Sequence, residues 1–248
     1  MLADSLILDS DGTIFHMYQP ETHFRAAIVL FAGVSGLLAL WILAAQLSVT
    51  SVYKLPSTPN AAAVAKIHRR DAALAANLGV IRGDLWAQSA FTYADLFWEN
   101  TGIGSANSSN DNALSAGMAR RRIEKALSYA PHRSDVWLLL AALSSRLNLP
   151  NLDPASALKM TFYTGPSETA LIPLRLLVAA RSTALNDPDV QQFVRRDIRM
   201  ILLRMPALKP AIQAAYHEAN SANRRTIESA VNELDPGFVQ QLRTISAL

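Results

Sequence analysis

Two carboxylates near the start of the chain, Asp9 and Asp11, stand either side of Ser10, between an apolar run, Leu6-Ile7-Leu8, and Gly12-Thr13. Acids so close could share a divalent cation. A bare pair holds Mg²⁺ weakly, however, because this ion keeps most of its waters unless substrate phosphates and a rigid cage help. The five histidines, His16, His23, His68, His132 and His217, are dispersed, and none forms the i, i+4 pair of a helical zinc site. Cysteine is absent, which excludes disulfides, thiolate metal centres and a cysteine nucleophile. No metal and no cofactor is therefore expected. Two basic runs remain, Arg120-Arg121-Arg122 and Arg195-Arg196-Asp197-Ile198-Arg199. On a helix, consecutive charges point round more than half the circumference, so some must snorkel over apolar neighbours. These runs read either as a solvated helix face or as a dock for acidic lipid headgroups or an anionic polymer. A formal charge of +3, with the bases scattered among acids, argues against a nucleic-acid partner.

The elements that position these groups are helical. Of the 248 residues, 50% are apolar but only 7% aromatic, and Ala and Leu dominate, so composition leans to an all-α fold. Residues 26–49, AAIVLFAGVSGLLALWILAAQLSV, carry no charge, and about 20 such residues cross a hydrocarbon core of roughly 30 Å. A signal peptide would have a shorter apolar region and a basic start, whereas the leader here is acidic. A core helix would show a polar stripe, which is missing. We expect a polar tail over 1–25, a single-pass transmembrane helix over 26–49, a linker over 50–60 and an α-helical domain over 61–248. Lys54, Lys66, Arg69 and Arg70 come after the segment, and counted naively they place the domain in the cytoplasm. A first apolar segment commonly exports the chain behind it, and long domains translocate largely regardless of charge. The expectation is accordingly a periplasmic domain on a membrane anchor.

The stretch Leu6 to Phe15, LILDSDGTIF, resembles the first motif of the haloacid-dehalogenase phosphohydrolases. That resemblance implies Asp9 as nucleophile, Asp11 as acid/base and Mg²⁺ between them. The family also needs a doubly wound sheet that supplies a later Ser/Thr, a Lys and a further acidic pair. The rest of the sequence has no alternating strand–helix pattern, so the tail is read as polar chain and the protein as no enzyme. A Mg²⁺-dependent phosphohydrolase using Asp9 and Asp11 is the alternative.

Within the linker, Pro56 and Pro59 break any helix and Asn60 is available as an N-cap. Asp153-Pro154, Asp187-Pro188 and Asp235-Pro236 each place a capping carboxylate before a proline at the first helical position. Asp153 and Asp187 are 34 residues apart, and Pro131 and Pro166 are 35 apart. Trp137, Leu140 and Ala141 resemble the Trp-x-x-Leu-Gly pattern of a tetratricopeptide (TPR) first helix, with the second helix over Asp153 to Phe162. Trp86, Ser89, Ala90 and Tyr93 look similar, with a second helix over Ala113 to Tyr129 after a Gly-, Ser- and Asn-rich loop at Thr101 to Asn112. In a third unit, Arg175 stands where a core Leu is expected and Pro173 is expected to disturb the first turns. The TPR-like resemblance covers Gly83 to Arg181 and implies a right-handed stack of helical hairpins whose concave groove grips a protein or peptide. Carried over from the two matching units, the groove-facing residues would be Asp84, Phe91, Asp95, Asp135 and Arg146. The function expected is a membrane-tethered scaffold or adaptor for protein–protein interaction in envelope or exopolysaccharide assembly, in contact with lipid through its N-terminal helix.

Overall fold

A computed structural model describes residues 20–47, 54–98, 108–147 and 152–245. It divides into two compact units, residues 1–44 and 45–248. The first is the body of one helix, α1 (Pro20–Leu47). Its Thr22–Leu47 stretch is 26 residues long and apolar enough to cross a membrane. At 1.5 Å per residue it reaches about 39 Å. Phe24, Leu30, Phe31, Leu37 and Leu40 are each at least two-thirds exposed, so these side chains find no protein core. The helix starts at Pro20, inside the stretch expected to be polar tail.

The second unit contains α2 (Pro59–Ile67), α3 (Arg69–Leu78), α4 (Gly83–Phe91), α5 (Asp95–Trp98), α6 (Ser108–Tyr129) and α7 (Ser134–Leu147). It continues with α8 (Pro154–Thr164), α9 (Ile172–Arg181), α10 (Pro188–Arg204), α11 (Lys209–Glu218), α12 (Ser221–Asn232) and α13 (Pro236–Ile245). No strand occurs among the described residues, and the fold is all-α. Helices α4, α7, α9 and α11 are neighbours in sequence order and form an inner row. Behind them α6 packs on α4 and α7, and α8, α10 and α12 continue as a second row. The core between the rows is largely Leu and Ala. Ala87, Ala90, Ala119, Ala126, Ala141, Ala179 and Ala180 are all at 0% exposure, which lets helix backbones approach closely.

Local rules set the helix starts. Asp153 accepts from the amides of Ala155 and Ser156 at 3.1 and 3.0 Å, and Asp187 from those of Asp189 and Val190 at 2.9 and 3.2 Å. Asp235 Oδ1 accepts from Phe238 N at 3.0 Å, so all three Asp-Pro caps form as expected. The first helix of the unit is different. Thr58, not Asn60, is its cap, accepting from Ala61 N at 3.3 Å with Pro59 at the first helical position. The proline read as a breaker is instead a starter.

Two expectations about the third hairpin are corrected. Because α9 begins at Ile172, Pro173 lies in the first turn, where the amide it lacks has no helical partner in any case. Arg175 is wholly buried, yet it is not a flaw in the core. Its Nη2 donates to Thr161 O at 2.8 Å and Gly165 O at 2.6 Å, carbonyls at the end of α8 that also accept the amides of Gly165 and Glu168. Its guanidinium lies 4.8 Å from the centre of the Phe162 ring. Arg175 thus caps α8 from the neighbouring hairpin.

Candidate functional site

The inner row is the surface on which a partner was expected, so its lining decides what the fold can bind. Part of that row is covered by the chain itself. Short α5 packs on α7, and α2 packs on α5. Asp95 of α5 receives Arg69 Nη2 at 2.7 Å and Lys66 Nζ at 2.9 Å, with its side chain only 6% exposed. Arg69 also donates to Thr92 O at 2.9 Å and sits 4.1 Å over the Tyr93 ring. On the far side, Arg181 of α9 lies 4.9 Å from the centre of the Phe97 ring. Asp95 is therefore a structural anchor that ties α2 and α3 to the row, and it presents no face to a partner. Phe91 is 0% exposed and fills the core.

The other three positions are spread out. Asp84 and Asp135 begin α4 and α7, whereas Arg146 is half-buried in the last turn of α7, about 17 Å along the helix from Asp135. Asp84 receives Arg82 Nε at 3.2 Å and Nη2 at 2.5 Å, and its side chain stays 43% exposed. Asp135 receives Arg133 Nε at 2.9 Å and Nη2 at 2.5 Å and is 18% exposed. Burial pushes the Asp84 carboxyl up, but the hydrogen bond and charge of Arg82 outweigh it and leave the group below the usual carboxylate range. The Asp135 hydrogen bond raises the Arg133 guanidinium, and the charges of Asp84 and Glu168 add to it. Asp84, Asp135 and Glu168 thus act on one arginine at the leading edge of the inner row.

This edge repeats. Arg82-Gly83-Asp84-Leu85-Trp86 and Arg133-Ser134-Asp135-Val136-Trp137 stand 51 residues apart, and the structure gives them the same contacts. Trp86 Nε1 donates to Val80 O at 3.0 Å, and Trp137 Nε1 donates to Pro131 O at 2.7 Å, each six residues back. The middle residues pack alike too. A Cβ on Gly83 would come within 2.8 Å of the Ala130 Cβ, after the end of α6. A Cβ on Gly165 would come within 2.6 Å of the Ser134 Cβ, after the end of α8. Each hairpin closes through one glycine and one small residue, with the glycine on opposite partners. Arg82 and Arg133 stand four residues before the tryptophans, outside the Trp-x-x-Leu-Gly pattern, which therefore does not reach them.

One cleft on this edge is open. It measures ≈ 440 Å³ and lies between the starts of α7 and α9 and the segment Lys54–Ser57. Two acids, Asp135 and Glu168, outnumber one base, Lys54, in its lining, and Leu171 and Leu174 give it an apolar wall. Ser134 donates to Glu168 Oε2 at 2.7 Å and fixes that carboxylate. Beside it Leu55 and Pro56 run outside any helix and are buried, Leu55 within the hydrophobic core. Asp135 is held by Arg133 and Glu168 by Ser134, so both acids of the cleft are fixed in place. No three His, Cys, Asp or Glu gather as a metal site among the described residues. Asp9 and Asp11 lie outside the described residues.

The arrangement defines an all-α array of packed hairpins with one long apolar helix at its N-terminus. No protein-family model, no curated protein and no solved structure matches the chain.

Proposed function

We propose that the chain is a membrane-anchored, TPR-like adaptor that holds an extended segment of a partner protein in the cleft beside α7 and α9. The observation that carries this reading is the Lys54–Ser57 segment. There a non-helical stretch of the chain itself lies along the cleft, with Leu55 and Pro56 buried. The chemistry of the remaining space selects a peptide that pairs basic side chains with apolar ones, for Asp135 and Glu168 to meet the first and Leu171 and Leu174 the second. The uncharged stretch 26–47 of α1 supplies the anchor.

A photo-crosslinker placed at Thr169 in the full chain, in native membranes, tests the cleft. A discrete protein adduct is expected, and Glu168→Arg combined with Leu174→Asp should abolish it. An adduct insensitive to that pair of changes would refute the cleft as the binding site. Carbonate extraction tests the anchor separately: the protein should stay in the pellet, and recovery in the supernatant would refute the membrane reading.

A further inference from the structure

The second basic run forms a different feature. Arg195, Arg196 and Arg199 are exposed on α10 and converge, beside Phe193, on a cleft of ≈ 490 Å³ between α10 and α12. The opposite wall includes Leu234 and one acid, Glu233. Several surface arginines elsewhere in the unit are matched: Arg82 with Asp84 at 2.5 Å, Arg120 with Glu124 at 2.7 Å, Arg243 with Glu228 at 2.6 Å. Among the described residues no carboxylate lies within 4.0 Å of Arg195, Arg196 or Arg199. Arg196 spends one N–H on Pro166 O at 3.3 Å and lies 5.9 Å from the Phe193 ring centre. Three guanidinium groups against Glu233 leave the cleft with net positive charge and free donor forks.

We infer that this cleft takes the phosphate headgroups of acidic phospholipids and so docks the second unit on a bilayer. A guanidinium fork matches two phosphate oxygens at once, which suits it to headgroups better than a point charge would be. Phe193 and Leu234 add an apolar surface of the kind that settles at the headgroup–acyl boundary. Covalent linkage favours the lipid over a free phosphate. The six residues between Leu47 and Lys54 extend at most about 20 Å. A bilayer holding α1 therefore presents headgroups to the unit at high effective concentration. This inference rests on the anchor reading of α1.

The chain has no cysteine, so a single fluorophore can be placed by Leu203→Cys, on α10 one turn beyond Arg199. The labelled full-length protein is incorporated into nanodiscs that carry a nitroxide on their headgroups. Quenching is expected in phosphatidylglycerol discs and not in phosphatidylcholine discs, and it should vanish as salt shortens the Debye length to about 3 Å. Each arginine near an acidic surface contributes about a factor of five, so Arg195→Gln with Arg199→Gln should lower the docked-to-free ratio by about 30-fold. Equal quenching in both lipids, or quenching unchanged by the two substitutions, would overturn the inference. So would a fluorescence response to inorganic phosphate alone in phosphatidylcholine discs, which would mark a soluble-anion site. Failure of the protein to enter discs refutes the anchor reading, whereas entry without acid-lipid-dependent quenching refutes only the docking.

Discussion

Asp197 is the most informative single residue to perturb. It lies on the inner face of α10, 1% exposed, with Oδ2 unbonded among the described residues. Burial pushes its carboxyl up to about 6, against the opposing pull of Arg175 and Arg196. A carboxyl raised in the folded state keeps its proton where the unfolded chain has lost it, so stability is higher below pH 4 and falls as pH rises to about 6. The displacement of about two pH units corresponds to about 3 kcal/mol at neutral pH. Asp197→Asn mimics the protonated form. It should therefore stabilise the unit by about 2–3 kcal/mol at pH 7.5 and change little at pH 4. For a unit of this size that is a rise in Tm of about 4–12 °C. Urea unfolding followed by the fluorescence of Trp86, Trp98 and Trp137 reads it at both pH values. Arg175→Met should act in reverse. It strips Thr161 O and Gly165 O of a charged donor and leaves Asp197 without its counter-charge, costing about 3–5 kcal/mol at pH 7.5 and less at pH 4. An Asp197→Asn variant no more stable than the parent at pH 7.5, or a gain equal at both pH values, would refute this account of the charge pair.

The closure contacts predict that Gly83→Ala and Gly165→Ala each destabilise the unit by about 1–3 kcal/mol, because the new methyl has no room against Ala130 or Ser134. Melting curves of the two variants check this, and unchanged midpoints would contradict it. Trp86 is 9% exposed whereas Trp137 is half-buried, so Trp86→Ala should cost about 3–5 kcal/mol and Trp137→Ala clearly less. A reporter active only outside the cytoplasm, fused after Leu248, should give signal if the domain is exported, and a silent fusion beside a fluorescent cytoplasmic one reverses the orientation. Purified protein should release no phosphate with Mg²⁺, and release that disappears with Asp9→Asn would promote the phosphohydrolase alternative.

The features legible in the sequence were those that adjacent residues decide. A carboxylate before a proline caps the next helix with its own side chain, and Asp153, Asp187 and Asp235 all do so. The apolar run was equally plain, since its length and lack of charge need no tertiary information. Thr58 shows the limit even locally: Pro59 reads as a breaker or a starter depending on which residue precedes it as cap. Arg175 shows the nonlocal failure. Its value depends on carbonyls of α8 brought to it by packing, and no pattern within α9 announces them.

The groove positions turned on the same distinction, with a larger consequence. Asp84 and Asp135 sit at one place in two repeats, and their arginines and tryptophans repeat with them, so a short motif located the leading edge. Phe91 and Asp95 were assigned from the repeat pattern alone, as if the inner row were bare. It is not: α5 sits against α7, and α2 and α3 are pinned to α5 through Asp95. The 51-residue spacing of the two motifs, against the 35 residues between Pro131 and Pro166, already contains this insertion. Extra chain between the two helices of a hairpin must go somewhere, and here part of it covers the face that a bare array would leave for a partner. The cleft described above lies at the starts of α7 and α9, and its acids are Asp135 and Glu168 rather than residues deeper in the row. A partner that reads this chain should accordingly be sensitive to the charge of Glu168 and indifferent to the surface chemistry of Arg146 at the far end of α7.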